Sequence, residues 1–313
     1  MRVIAKTENN KLATVFVAQS DNGNLIEFVE SVPPPFKFDE KWVLIISTLY
    51  GCPSSCRFCD AGSFFNGNLK KDDILFQIDY LIKNHFSDNI VPVKKFKIQF
   101  SRMGEPSFNP AVLEVLEEIP TRYSAPGLYP SLSTIAPNGT DVFFEKLLRI
   151  KEKYYINNFQ FQFSIHSTDI NQRNWLIPIK TWSFEKMAKY GDLFHSSNQK
   201  KVTLSFALAD DSIVEPDELL KYFNPNKYLI KITPVNPTFN AIKNKLNSSN
   251  TISYKNNELV KKIKKLGYEV IISIGEITEN EIGSNCGQHV MNFLKNQIEI
   301  KDSYTYPLLE IVE

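Results

Sequence analysis

Residues 42–59 read WVLIISTLYGCPSSCRFC and join a short apolar run to a loop that holds three cysteines. The run is rich in β-branched residues and ends in polar ones, which is typical of a strand. The three loop cysteines are Cys52, Cys56 and Cys59, and one more, Cys286, lies far downstream. This stretch therefore predicts a strand whose carboxyl end leads into a metal-binding loop.

Cysteine thiolates are the usual protein ligands of iron in iron–sulfur clusters. Because a [4Fe–4S] cluster has one more iron than this loop has cysteines, one iron would stay open to bind another molecule. Zinc is the alternative, with Cys286 as the fourth ligand. Structural zinc sites usually have two short Cys-x-x-Cys arms, and here the second arm would be a single cysteine. The spacing favours the cluster, and a non-catalytic iron–sulfur or zinc-binding module remains the alternative from another class.

The composition fits one α/β barrel with an extension, because the chain has 313 residues of which 42% are hydrophobic. The net charge of +1 gives no overall field that would attract nucleic acid or an anionic membrane. The first residues have no apolar core of a signal peptide, and the longest apolar run, Trp42 to Ile46, is too short to span a bilayer. Clustered thiols then predict a reducing, cytoplasmic setting.

Short β-type runs alternate with helical stretches from residue 42 onward, which predicts parallel strands joined by right-handed crossovers. The predicted fold class is α/β, as a partial (β/α)6 barrel. The predicted strands are Trp42–Thr48, Phe96–Ser101, Tyr129–Thr134, Phe159–His166, Val202–Leu208, Tyr228–Thr233 and Glu269–Ile274. A helix with apolar positions 74, 78, 81 and 82, capped by Asn68, follows the first strand. Further helices are predicted at Ala111–Ile119, Thr140–Lys151, Glu218–Phe223 and Glu258–Leu266.

The chain divides into three predicted parts. Residues 1–40 form an N-terminal β-hairpin extension, with strands at Leu12–Val17 and Leu25–Val29 around the turn signal Asn22-Gly23-Asn24. Residues 41–290 form the barrel, and residues 291–313 form a C-terminal tail.

Polar side chains follow nearly every predicted barrel strand. Barrel enzymes act at the carboxyl ends of their strands, so these side chains are expected to converge there. Each could also be an ordinary turn or structural residue, and their groups suit hydrogen bonds to ribose, carboxylate or adenine. They are Gly104 and Glu105 after strand two, Ser133 on strand three, Ser164 and His166 on strand four, and Asn236 after strand six.

Taken in order, these motifs resemble the radical S-adenosylmethionine (SAM) adenine methylsynthases of 23S ribosomal RNA, the RlmN/Cfr family. The resemblance covers about residues 10–290. Its motifs are Gly51-Cys52, Cys56-x-Phe58-Cys59, Met103-Gly104-Glu105-Pro106, Ser133-Thr134, Ser164-x-His166, Pro234-x-Asn236-Pro237 and Cys286-Gly287-Gln288. The resemblance implies a [4Fe–4S] cluster on the loop cysteines, an electron from a reductase or flavodoxin-type donor, and SAM as cofactor. The residues implied for SAM binding are Phe58, Gly104, Glu105, Ser133, Ser164, His166 and Asn236.

By the same resemblance, Cys286 would be the catalytic methyl carrier. Its thiolate would take a methyl group from one SAM, because the thiolate is the nucleophilic form of cysteine. A 5′-deoxyadenosyl radical from a second SAM would remove hydrogen from that methyl group. The resulting carbon radical would add to an sp² carbon of RNA adenine or of another substrate. The expected activity is that of a methyltransferase.

The sequence departs from the family in three ways. Ile45 stands where family members have a second redox cysteine, so either another group such as His166, Glu281 or His289 resolves the adduct, or the product differs. The stretch 276–282 is acidic where relatives carry arginines, and the sequence begins without their helical RNA-binding domain. These departures weigh against RNA and leave a different radical SAM reaction on a non-RNA substrate as the alternative. They do not indicate the oligomeric state.

Overall fold

The computed structural model describes residues 1–9, 13–195, 200–248, 256–272, 286–294 and 309–310. The strands are β1 (Arg2–Asn9), β2 (Ala13–Gln19), β3 (Leu25–Ser31), β4 (Trp42–Ile46), β5 (Leu49–Gly51), β6 (Phe65–Asn68), β7 (Phe96–Phe100), β8 (Leu128–Thr134), β9 (Gln160–Ser164), β10 (Val202–Leu208), β11 (Tyr228–Pro234), β12 (Glu269–Ile272) and β13 (Leu309–Glu310). The helices are α1 (Lys71–His85), α2 (Ala111–Arg122), α3 (Asp141–Tyr154), α4 (Ile170–Leu176), α5 (Phe184–Phe194), α6 (Pro216–Leu220), α7 (Phe239–Lys243), α8 (Asn256–Lys265) and α9 (Gln288–Leu294).

The barrel consists of strands β4 and β7 to β12, which pair in chain order and in parallel. Helices lie between successive strands, so the predicted α/β class is confirmed. All seven predicted strands are present, and the last two residues predicted for β12, 273 and 274, lie outside the described residues. The order of the sheet thus places the carboxyl ends of these strands along one edge.

Some helix predictions were wrong in detail. Lys70, not Asn68, occupies the N-cap of α1 and makes no side-chain cap there. The Asn68 amide instead donates to the Phe108 carbonyl at 2.9 Å. Helices α4, α5, α7 and α9 were not predicted. Helices α4 and α7 span seven and five residues, which is too short to show a helical period.

The barrel strands are apolar on the helix side and polar on the concave side. On β7, Phe96, Ile98 and Phe100 are buried in the main core, whereas Lys97 and Gln99 alternate with them and face the other way. A closed (β/α)8 barrel fills its interior with branched apolar side chains. This concave face is largely polar, which fits a lumen that stays open. Its polar members include Lys97, Gln99, Tyr129, Ser131, Ser133, Gln160, Gln162, Ser164, Thr203, Ser205, Lys231 and Thr233.

The N-terminal strands extend the barrel sheet in antiparallel fashion. Strand β3 pairs with β4, β2 with β3, and β1 with β2. The two predicted strands correspond to β2 and β3, whereas β1 was not predicted. Ile45 on β4 packs against Ala13, Val15 and Val29 in a small apolar cluster. The extension therefore covers the concave side of β4 next to the cysteine loop. The division into domains stays a prediction.

Among the described helices, none is long and apolar enough to span a bilayer.

The buried position of Lys97 predicts how stability depends on pH. Burial, reinforced by Lys231 and Lys95, lowers the pKa of Lys97 to about 7, against 10.5 for an ordinary lysine. Between these two values the unfolded chain keeps a proton that the native chain releases. The free energy of unfolding should therefore rise from pH 7 to 8, by at most about 1.4 kcal/mol per pH unit for this group. Urea unfolding at pH 6.5, 7 and 8 measures this slope.

The matched variants are Lys97→Met and Lys146→Met, because Lys146 is exposed on α3. Lys97→Met should flatten the slope and be more stable than the unmodified chain at pH 6.5, whereas Lys146→Met should change neither. An unchanged slope in Lys97→Met would contradict the assignment.

Candidate active site

The cysteine loop follows β5 and ends in a 3-10 turn at Asp60–Ser63. Its three cysteines are free and half-buried, as is Cys286. Burial raises the pKa of each thiol, and neighbouring sulfurs add to this effect. For Cys59 the largest such contribution comes from Cys286, followed by Cys56 and Cys52. The structure thus brings the four cysteines of the chain near one another.

Helix α7 and the residue before it hold the backbone of the cysteine loop. The Thr238 hydroxyl donates to the Phe58 carbonyl at 2.9 Å, and the Asn240 amide donates to the Cys59 carbonyl at 2.8 Å. In the other direction, the buried Asp60 carboxylate accepts the backbone N–H groups of Phe239 and Asn240 at 3.1 and 2.9 Å. Because these contacts use backbone groups of the loop, the thiols are left free to bind metal.

Gly287 allows the Cys286 segment to approach this loop closely. Its φ is +84°, and a Cβ atom there would lie 2.2 Å from the Ala61 nitrogen. The Ala61 N–H donates to the Cys286 carbonyl at 3.2 Å, and the Cys59 thiol lies 3.9 Å from the same oxygen. Any side chain at 287 would push the Cys286 segment away from the loop.

Glu27 on β3 anchors the same segment from the other side. Its carboxylate is fully buried and accepts the N–H groups of Gly287 and, at 3.1 Å, His289. The Arg102 guanidinium lies 2.9 Å from it and is also buried. Burial raises the pKa of Glu27, whereas Arg102 and the backbone N–H groups lower it. One carboxylate thereby fixes the start of α9, the loop after β7 and the extension together.

The Cys286 thiol lies between these partners. It donates to the Ser101 carbonyl at 3.3 Å. Burial and Glu27 raise its pKa, and Arg102 is the charged group that lowers it. Arg102 is therefore the group best placed to stabilise a thiolate at Cys286.

Glu105 lies in a dense set of hydrogen bonds at the end of β8. Its carboxylate accepts from the Thr134 hydroxyl at 2.5 Å, the Ile135 N–H at 3.0 Å and the Ser107 hydroxyl at 2.7 Å. Burial raises the pKa of Glu105, whereas these hydrogen bonds lower it. Gly104 has φ +99°, and a Cβ atom would lie 2.4 Å from the Leu49 side chain. Gly104 therefore has a packing role whether or not SAM approaches it.

His166 is buried and neutral. Burial, and then the positive charge of Arg173, lower its pKa to about 3. The Nδ1 atom accepts the Ala207 N–H at 3.0 Å, which assigns the ring hydrogen to Nε2. The ring also packs edge-on against Phe58, with centroids 4.6 Å apart. His166 can thus donate a hydrogen bond from Nε2 but is a poor proton acceptor, so it is unsuited to resolving a carrier adduct.

The remaining predicted residues lie at the same end of the sheet, and among the described residues their side chains make no hydrogen bond to the cysteine loop. Ser133 is half-buried on the concave face of β8, and Ser164 ends β9 beside Ser205. The Asn236 side chain is exposed, and its carbonyl accepts the Thr238 N–H at 2.8 Å. The structure thus brings Phe58, Glu105 and His166 to the loop and leaves the other three at its margin.

Sequence reasoning missed two buried arginines beside the sulfurs. Arg173 on α4 donates to the Thr181 hydroxyl, and its charge opposes the rise in the pKa of Cys56. Arg102 does the same for Cys286. It also missed Glu27, although a carboxylate between Ile26 and Phe28 in strand β3 was a readable signal. No local sequence pattern indicates that Arg102 and Arg173 are buried, because their burial depends on contacts with residues distant in the chain.

The residues present suit a cluster better than a single ion. Within the described chain, no three His, Cys, Asp or Glu side chains form a group that could hold one metal ion. The thiolates of a [4Fe–4S] cluster bind different irons, so they need not converge on one point. Three free thiols on a loop held by its backbone, with Arg173 nearby to balance thiolate charge, fit such a cluster.

No protein-family model matches the chain. In sequence, the chain is similar to the dual-specificity RNA methyltransferase RlmN of Ruthia magnifica, with 25% identity over 294 residues that cover 91% of this chain and 72% of the relative. The RlmN of Buchnera aphidicola is 26% identical over 266 residues, which cover 80% of this chain and 66% of that protein. The chain spans about two thirds of the length of the curated relatives it matches.

In structure, the chain is similar to a radical SAM methyltransferase from Sphaerobacter thermophilus. The TM-score is 0.70 with 17% identity, over 92% of this chain and 80% of the other. At this identity the likeness establishes only the fold, a partial (β/α) barrel. The chain thus has the fold of that radical SAM methyltransferase together with a loop of three cysteines. In sequence it is similar to RlmN, as the resemblance of its motifs predicted.

Removing the Glu27 carboxylate should destabilise the fold. Glu27→Gln leaves the buried Arg102 without its partner, and breaking such a pair costs about 3–5 kcal/mol in the free energy of unfolding. Urea unfolding measures this cost. The Cys286 thiol should also react faster with iodoacetamide, because the start of α9 loses its anchor.

The double variant Glu27→Gln/Arg102→Met is the matched control, since it removes both charges of the pair. It should regain part of the lost stability while its Cys286 stays as reactive as in Glu27→Gln. Equal stability of the single and double variants would mean that the ion pair does not hold this segment.

Proposed function

We propose that the chain is a radical SAM enzyme of the methylsynthase type, which passes a SAM-derived one-carbon unit through Cys286 to an sp² carbon. The observation that carries this proposal is the position of Cys286, whose carbonyl contacts Ala61 and Cys59 although Cys59 lies 227 positions away. The similarity to RlmN methyltransferases supports the reaction class.

Cys52, Cys56 and Cys59 would hold a [4Fe–4S] cluster. When bound, the cluster supplies the electron that cleaves SAM reductively, and a reductase or flavodoxin-type protein would provide that electron. Four free thiols suit the reducing cytoplasm in which we expect the protein to act. The chain's own residues would bind SAM, orient it and accept its methyl group.

The proposed SAM site lies between the cysteine loop and the ends of β8 to β11. Glu105 is a carboxylate whose orientation is fixed by Thr134 and Ile135, so it is ready to accept from the amino group of SAM. His166 would donate from Nε2 to an oxygen or nitrogen of SAM, because its Nδ1 is already occupied. Phe58, Gly104, Ser133, Ser164 and Asn236 would complete the site.

Cys286 would act as nucleophile. Its thiol must first lose its proton, and Arg102 favours the resulting thiolate. The sulfur would then form a bond to the methyl carbon of SAM as the bond from that carbon to the sulfonium breaks, which leaves a neutral thioether. The Ser101 carbonyl, 3.3 Å from Sγ, orients the thiol before this step.

The molecule that accepts the one-carbon unit is the second part of the proposal. The names of the relatives support RNA as the acceptor. The acidic stretch 276–282, which includes Glu281, lies outside the described residues. Ile45 favours the second candidate, a radical SAM reaction with another outcome on a non-RNA substrate. Ile45 packs among apolar side chains and offers neither a thiol nor a base.

The deciding measurement is the intact mass of the peptide that carries Cys286, after anaerobic reconstitution of the chain with iron, sulfide and SAM. One added methyl group is expected in the unmodified chain and none in Cys286→Ala, while both bind iron. Cys56→Ser should lose most of the iron. An unmethylated Cys286 in a chain that still produces 5′-deoxyadenosine would refute the carrier role and favour the second candidate. About one zinc and no iron per chain would refute both.

Ile45→Cys tests whether position 45 reaches the proposed carrier. Ile45 lies on the same face of the sheet as Glu27, one strand away. When this variant is treated with oxidised glutathione before any exposure to SAM, the thiols of residues 45 and 286 should lose two protons and two electrons to the oxidant and form a disulfide, which Ile45→Ser cannot form. Peptide mass analysis without reduction detects the bond, and its absence in oxidised Ile45→Cys would show that position 45 does not reach the carrier.

A further inference from the structure

We propose that the end of the barrel lumen opposite the cysteine loop binds a compact, multiply charged oxyanion of the phosphate class. The site, here called the lysine site, consists of Lys41, Lys95, Lys97, Lys200 and Tyr129. These residues lie at or just before the amino ends of β4, β7, β8 and β10. Since the strands are parallel, these ends lie at the opposite edge from the carboxyl end of β4, which leads into the cysteine loop.

The aromatic ring of Tyr129 organises the lysines. The amino group of Lys95 lies 4.6 Å from the ring centroid and that of Lys200 lies 5.1 Å from it. Lys200 is also one of the groups that lower the pKa of Lys95 to about 8, after burial. Two ammonium groups over one ring both donate and neither accepts, so they repel each other unless an anion lies between them. An oxyanion would satisfy both donors.

The lysine site has no carboxylate partner in the part of the chain that the structure describes. Lys97 donates to the neutral Gln160 amide oxygen at 2.9 Å, and no ion pair involves Lys41, Lys95, Lys97 or Lys200. The nearby acids are used elsewhere: Glu40 accepts the Lys37 N–H, and Glu269 pairs with Lys201. Lys41, Lys95 and Lys97 are half-buried, so water screens their mutual repulsion incompletely.

The Tyr129 hydroxyl is an independent sign of a ligand. The residue is 8% exposed, and its hydroxyl has no hydrogen-bond partner among the described residues. A buried hydroxyl without a partner loses its hydrogen bond to water and gains none from the protein, which is unfavourable. Burial raises the pKa of Tyr129 to about 12, so the hydroxyl keeps its proton and can donate to an oxyanion.

The chemistry of the donors indicates the ligand. Lysine ammonium groups are compact point charges, and they suit a small anion with several oxygens better than the flat, forked contact that arginine makes. The half-buried position within the lumen favours a compact phosphate or pyrophosphate over an extended polymer. Pyrophosphate, a small oxyanion with several charges, therefore serves as the probe.

The test is thermal unfolding of the full chain, with chloride added to keep the ionic strength constant, against increasing pyrophosphate. A ligand that binds only the native state raises the melting temperature in a saturable way. We expect this rise in the unmodified chain and in Lys146→Met, which removes an exposed lysine of α3. Lys97→Met should melt higher without ligand, because it removes a half-buried cation, and should lose the pyrophosphate effect.

Calorimetric titration of the same proteins should show affinity for pyrophosphate at least about tenfold weaker in Lys97→Met and in Lys95→Met. An equal shift in the unmodified chain and Lys97→Met, or an equal shift with chloride alone, would overturn the proposal. Binding of a single-stranded RNA oligomer, but not of pyrophosphate, would overturn the compact ligand. SAM is absent from these measurements, so their outcome does not depend on the proposed methyl transfer.

Discussion

The buried pair of Glu27 and Arg102 is the contact on which the active site depends. Cys286 reaches the cysteine loop only if the segment before α9 is held there, and the Glu27 carboxylate holds it by accepting two of its backbone N–H groups. Burying two charges is costly, and their attraction repays this cost only when further hydrogen bonds complete the arrangement. Here those hydrogen bonds are the ones that fix the proposed carrier, so stability and site geometry rest on the same atoms.

The electrostatics of the site follow from its sulfurs. Burial and mutual repulsion keep the thiols protonated in the chain alone, and iron must displace these protons when it binds. Two of the chain's six arginines, Arg102 and Arg173, lie next to Cys286 and Cys56. Six arginines are few for a chain of 313 residues, and two of them are buried beside cysteines. Composition alone cannot reveal where a charge is buried.

The sequence predicted what depends on local pattern. Strand positions followed from β-branched runs, and the convergence of Phe58, Glu105 and His166 followed from the common carboxyl edge of parallel strands. What depends on distant partners was missed: Arg102 needs Glu27 on another strand, and Arg173 faces a loop more than a hundred residues earlier. The predicted N-cap of α1 at Asn68 was also wrong, because the Asn68 amide donates to the Phe108 carbonyl instead. The family resemblance supplied roles for the site residues, which no local pattern could have given.

The antiparallel extension has a consequence for how such a protein can diversify. Strand β4 pairs with β7 on one side and with β3 on the other, so its free edge is taken and the barrel cannot close against it. Strands β1 and β2, which carry neither a cysteine nor Glu27, lie beyond β3 in the same sheet. Insertions or deletions in β1 and β2 could change this part of the sheet for molecules of different size, while Glu27 and the cysteine loop stay unchanged. Catalysis and substrate choice can thus evolve on separate segments.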